Sequence, residues 1–98
     1  MVNQVLSKNG EELISDFTFH PGEALLDEVE ARNLKKSALA KELNILPSHL
    51  SELFSGKRNV TAMTAVKLEK ALGISAEYWL GLQTDYDLAI ARRELQAV

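Results

Sequence analysis

Ala38-Leu-Ala-Lys-Glu-Leu-Asn-Ile-Leu-Pro-Ser-His-Leu-Ser-Glu-Leu-Phe-Ser-Gly-Lys-Arg58 reads as two short helical patterns on either side of a break at residues 44–46. The first pattern sets Leu39, Ala40 and Leu43 on one face; the second sets Leu50, Leu53 and Phe54 on another. Ala40 suits a place where two helices cross steeply through a short turn and leave little room. Asn44 stands at the turn, and Asn is one of the few residues besides Gly that tolerate left-handed backbone angles. Pro47 fits the first turn of the second helix, where its missing N–H has no partner to lose.

On spacing alone this pair is either an ordinary helical hairpin or a helix-turn-helix, whose second helix enters the DNA major groove. The segment Ser55-Gly-Lys-Arg-Asn-Val-Thr61 favours the second reading. Gly56 stops the second helix, Lys57, Arg58 and Asn59 form an exposed loop, and Thr61 caps the helix that follows. Cations just beyond a recognition helix are placed to hold phosphates, which position a protein without reading sequence.

The charge balance supports that assignment only when counted locally. The 98 residues carry a net charge of -3, and a pI near 5.3 is unlike that of a DNA-binding protein. Residues 35–58, however, hold five basic groups (Lys35, Lys36, Lys41, Lys57, Arg58) against Glu42 and Glu52, a net of +3. The remainder holds six basic and twelve acidic groups, a net of -6. Salt screens charges beyond about 10 Å, so the local sign governs what the segment meets. The acidic remainder is either solvated surface or a match for a basic protein partner.

An apolar content of 46% in a chain of this length fits one globular domain. No apolar run approaches the roughly 20 residues that span a bilayer, and the first residues lack the pattern of a signal peptide. With no cysteine there is no disulfide, thiol chemistry or Cys-based metal site. A cytoplasmic, membrane-free protein is expected.

Residues 1–19 form a separate extension. Asn9-Gly10 is a two-residue hairpin turn that would pair Leu6 with Leu13, Val2 with Phe17 and Val5 with Ile14. A short β-hairpin is expected there, with a flexible extension as the alternative. Residues 20–98 read as all-α. The first helix is expected from Pro21 to Arg32, with Leu25, Leu26 and Val29 inward, followed by the pair above. A fourth, capped by Thr61 and closed by Gly73, buries Ala65, Leu68 and Leu72. A fifth, capped by Ser75, runs from Ala76 to Glu94 with Trp79, Leu82, Tyr86 and Ala89 on one stripe.

Nothing points to catalysis, a metal or a cofactor. His20 and His49 sit in different elements, and His20, before Pro21, suits a helix cap. Asp85 and Asp87 diverge on a helix at i and i+2. No phosphate loop or nucleophile elbow is present.

Taken together, His20-Pro-Gly-Glu23, the helix pair around Ala40, Ser51-Glu-Leu with Gly56-Lys-Arg58, and Ser75-Ala-Glu-Tyr-Trp-Leu-Gly-Leu-Gln with Tyr86-Asp-Leu88 resemble the HigA group of antitoxins. These are phage-repressor-like helix-turn-helix proteins of the XRE class, and the resemblance covers about residues 20–93. It implies a five-helix domain that neutralises a small basic messenger-RNA-cleaving toxin. It also implies a homodimer that binds operator DNA to repress its own operon. Carried over by position, Ser48, His49, Ser51 and Glu52 would read bases, and Lys36, Ser55, Lys57, Arg58 and Asn59 would hold the backbone. The aromatic surface of the fifth helix (Tyr78, Trp79, Leu82, Tyr86) is expected at the dimer interface, with closure of the monomer core an equal alternative for Trp79. Lys35 departs from the group's capping Ser or Thr, Asn44 from its frequent Gly, and Gly81 from a common Asn. A stand-alone repressor and an interaction module without DNA affinity are the alternatives.

Overall fold

The structure, a computed structural model, describes residues 19–96, and within them the chain is five helices and no strand. In chain order these are α1 (Pro21–Ala31), α2 (Lys36–Leu43), α3 (Pro47–Ser55), α4 (Ala62–Leu72) and α5 (Ala76–Gln96). The hairpin expected about Asn9-Gly10 lies outside the described residues. The helix boundaries expected from the sequence fall within two residues of these, α1 ending one earlier and α5 two later.

Each boundary has a local cause. Pro21 opens α1 behind His20, whose Nδ1 accepts the Gly22 N–H at 2.9 Å. α2 closes on Asn44 at φ 57°, ψ 47°, with the Ile45 N–H returning to the Ala40 carbonyl, so the left-handed turn expected of Asn44 is present. Asn33 makes the same left-handed turn after α1. Pro47 opens α3 and Gly56, at φ 80°, closes it. Thr61 Oγ1 accepts the Thr64 N–H to start α4, and Ser75 Oγ accepts the Tyr78 N–H to start α5. Neither Lys35 before α2 nor Leu46 before α3 makes a side-chain cap bond, and of the two only α3 has a proline in its first turn.

The core is one cluster to which every helix contributes. Leu25 and Val29 come from α1, Leu39, Ala40 and Leu43 from α2, and Leu50 and Leu53 from α3. Ala65, Leu68 and Leu72 come from α4, and Ala76 and Trp79 from α5. Fully burying each large member stabilises the fold by about 1.5–3 kcal/mol. α1 packs on α3, α2 on both α3 and α4, and α5 on α4 and α1. Where α1 crosses α3 the approach is so close that a Cβ on Gly22 would lie 1.7 Å from the Leu53 carbonyl oxygen. Gly22 is thus fixed by proximity of backbone to backbone.

Two expectations about packing change. Leu26 is only half-buried. Trp79, expected equally at a dimer interface or in the monomer core, is 1% exposed and donates its Nε1–H to the Ile74 carbonyl at 3.2 Å. Its indole closes the monomer core and offers nothing to a second copy.

Candidate nucleic-acid interface

The turn at Asn44 aims α3 so that one side feeds the core and the other faces out. Leu50 and Leu53 are buried, whereas Ser48, Ser51 and Ser55 follow one another at i, i+3 and i+7 along an exposed face. His49 and Glu52 lie on its flank, half-buried. Burial lowers the His49 pKa from its ordinary 6.5, and nearby Arg58 and Lys67 add to that, against a smaller opposing pull from Glu52. The imidazole therefore binds its proton less readily than a free side chain does.

Glu52 and Arg58 form one unit. Both Nε and Nη2 of Arg58 donate to Glu52 Oε1, at 2.9 and 2.6 Å, and both side chains remain nearly half exposed. An exposed pair of this kind adds little stability, but it fixes where the guanidinium sits. The Glu52 carbonyl also accepts from the Lys57 and Arg58 N–H groups and from the Ser55 hydroxyl at 3.2 Å. Ser55 therefore reaches an anion as a donor only by giving up that bond.

Across a cleft of about 400 Å³ floored by Leu26, Leu50 and Phe54, Lys36 at the start of α2 faces Ser51 and Ser55. Its ammonium lies 5.4 Å from the centre of the Phe54 ring, a cation–π contact that steadies the side chain without neutralising it. Lys57 and Asn59 are exposed on the loop after α3. The structure thus brings Lys36, Ser51 and Ser55 to one cleft and His49, Glu52 and Arg58 to one cluster; Ser48 is exposed on α3, and Lys57 and Asn59 are exposed on the loop that follows it.

That loop is anchored from below by residues the sequence reading did not give this role. Gln83, 5% exposed on α5, accepts the Val60 N–H through Oε1 at 2.7 Å and donates through Nε2 to Asp87. His20, 3% exposed, bonds to Asn59 Oδ1 through Nε2 at 3.2 Å. A single amide inside the otherwise apolar stripe of α5 was the feature that could have flagged Gln83. His20 was expected to cap a helix, and it does; its reach to Asn59, thirty-nine residues away, had no local trace.

The helix-turn-helix family pattern matches residues 25–79, from the core of α1 to Trp79. The chain belongs to the helix-turn-helix family. Among its curated relatives, virulence-associated protein I of Dichelobacter nodosus is 40% identical over 80 residues, covering 81% of this chain and 74% of that protein. An addiction-module antidote protein of the HigA family from Coxiella burnetii has the same fold, with a TM-score of 0.74 and 36% identity. That match covers 79% of this chain and 85% of the other. The Pseudomonas aeruginosa antitoxin HigA, solved with the higBA promoter, matches with a TM-score of 0.74 and 31% identity, again over 79% and 85% of the two chains. The resemblance to HigA-group antitoxins drawn from the residues is therefore matched in three dimensions. In this helix-turn-helix domain the second helix of the motif, α3, presents its Ser48, Ser51 and Ser55 face outward.

Proposed function

We propose that this protein is a DNA-binding antitoxin that represses its own operon, with α3 in the major groove of operator DNA. The observation that carries the reading is the exposed Ser48, Ser51, Ser55 face of α3 ringed by Lys36, Lys57 and Arg58. It stands on a fold shared with an antitoxin solved on its promoter. Ser48, His49, Ser51 and the free oxygen of Glu52 are the base readers; Lys36, Ser55, Lys57, Arg58 and Asn59 are the backbone contacts.

The active form is a homodimer, since two recognition helices are needed to read an inverted repeat about one helical turn apart. Of the side chains expected at the two-fold contact, Tyr78 is 49% exposed and Leu82 and Tyr86 are half-buried in their own domain; we place the contact further along α5. There Leu88 and Leu95 are 43% and 77% exposed, with exposed Ala91 between them at helical spacing. The partner toxin is a small basic ribonuclease, which complements the -6 of the chain outside residues 35–58.

Fluorescence anisotropy with the protein's own upstream region and with a scrambled duplex tests the repressor reading. A preference of about a thousandfold or more is expected for a specific site. Equal affinity for both duplexes would refute it. Co-expression with the product of the adjacent gene separates an antitoxin from a lone repressor: growth arrest by that product alone, relieved by this protein, is the antitoxin outcome.

A further inference from the structure

His20 is buried, yet its ring touches three parts of the molecule. Nδ1 accepts the Gly22 N–H at the start of α1, and Nε2 lies 3.2 Å from Asn59 Oδ1. The ring also lies against Gly56, where an added Cβ would sit 3.5 Å from its Cγ, and meets Tyr86 of α5 edge-on at 5.0 Å. These contacts determine the tautomer. Nδ1 must offer a lone pair to Gly22, so the neutral ring carries its proton on Nε2, and Nε2 must donate. Its partner on Asn59 is therefore the amide oxygen, which leaves the NH2 group of the same amide out of that bond. Asn59 is exposed, in the loop directly after Lys57 and Arg58.

We propose that His20 is a positioning residue for DNA-backbone contact: through Nε2–H it holds the Asn59 amide oxygen inward and so presents the Asn59 NH2 to a phosphate. The proposal rests on the DNA-binding reading above and adds to it a buried residue that touches no DNA. The α1 start and the α3–α4 loop are tied by one imidazole, while Gln83 fixes the far end of the same loop at Val60. A loop held at Gly56, Asn59 and Val60 meets a phosphate without first losing conformational freedom.

The test uses the full chain, the upstream duplex and a scrambled duplex. His20→Asn keeps an acceptor for the Gly22 N–H, since Asn is a favoured helix cap, but is too short to reach Asn59. It should weaken binding to both duplexes by about fivefold, the net effect of one solvent-exposed hydrogen bond. Asn59→Ala should do the same, and the double variant should bind no more weakly than either single one. Asn59→Asp keeps the oxygen that His20 holds but turns a carboxylate outward, and should lose about tenfold while its urea midpoint stays that of the unaltered protein. Imidazole 15N shifts of the free protein should show His20 as the Nε2–H form.

Binding by His20→Asn or Asn59→Asp equal to that of the unaltered protein overturns the proposal, as do losses that multiply in the double variant. An Nδ1–H ring overturns it without any DNA present. Should His20→Asn fail to fold, Asn59→Asp and the 15N shifts decide. If the unaltered protein binds neither duplex, the DNA-binding reading itself falls, an outcome distinct from the others.

Discussion

At the scale of single residues, His49 and Gly22 show how position alters an ordinary side chain. The lowered His49 pKa means that the unfolded chain binds its proton more readily than the folded one. Stability from this residue is therefore complete above 6.5 and is lost as pH falls from there through the folded value. Phosphates brought beside the ring by DNA push its pKa back up, so DNA binding takes up a proton in that window. Operator affinity should rise between pH 7.5 and 5.5 by anisotropy titration, and His49→Gln should flatten the rise; an unchanged slope would remove His49 from the interface. Gly22→Ala drives a methyl into the Leu53 carbonyl, a backbone atom that cannot step aside. It should destabilise the domain by about 3 kcal/mol in urea unfolding. What was legible at this scale is exposure: Lys57, Arg58 and Asn59 are exposed in the loop expected after Gly56, and Ser48 and Ser51, placed by resemblance, are exposed on α3. The Glu52–Arg58 pair, spanning the C-terminal turn of α3, and the His20–Asn59 bond depend on tertiary placement, which periodicity does not encode.

At the scale of elements, the caps carried most of the legible information. Asn44, Pro47, Gly56, Thr61, Gly73 and Ser75 each mark a helix end by a conformational or hydrogen-bonding preference of the residue itself, and each marks one in the structure. Asn33 went unread because nothing in its neighbours distinguishes it from an ordinary polar residue. The fate of Trp79 and Tyr86 was not legible, because an aromatic stripe looks the same whether its own domain or a second copy covers it. The uncapped start of α2 gives a direct test. Lys35→Ser supplies the missing acceptor and should raise stability by about 1 kcal/mol in urea unfolding, where Thr61→Ala should lower it by a similar amount. Gln83→Leu fits the apolar stripe of α5 by size but leaves the buried Val60 N–H without an acceptor. A loss of about 1–3 kcal/mol is expected, with the α3–α4 loop amides exchanging faster with solvent.

For the whole molecule, the separation of charge and the projecting end of α5 bear on the same property. In the proposed dimer, a second copy adds a second recognition helix and a second set of cations about one or two helical turns along the duplex. Linking two such contacts makes the second one intramolecular and multiplies affinity without any new interaction. Residues 91–96 of α5 are exposed along their whole length and include the apolar Leu95; Leu88, 43% exposed, precedes that stretch by one turn. Leu95→Glu places a charge in the proposed two-fold contact while touching neither the core nor the loop after α3. The variant should sediment as a monomer at tens of micromolar, keep the helical circular dichroism of the parent, and bind the full inverted repeat about a hundredfold more weakly. Its affinity for a single half-site should stay that of the unaltered protein, because the cations around α3 are all still in place. The salt slope on the full site should also halve, since the number of phosphates neutralised per bound complex falls with the number of subunits. A Leu95→Glu protein that remains dimeric would move the interface off this end of α5.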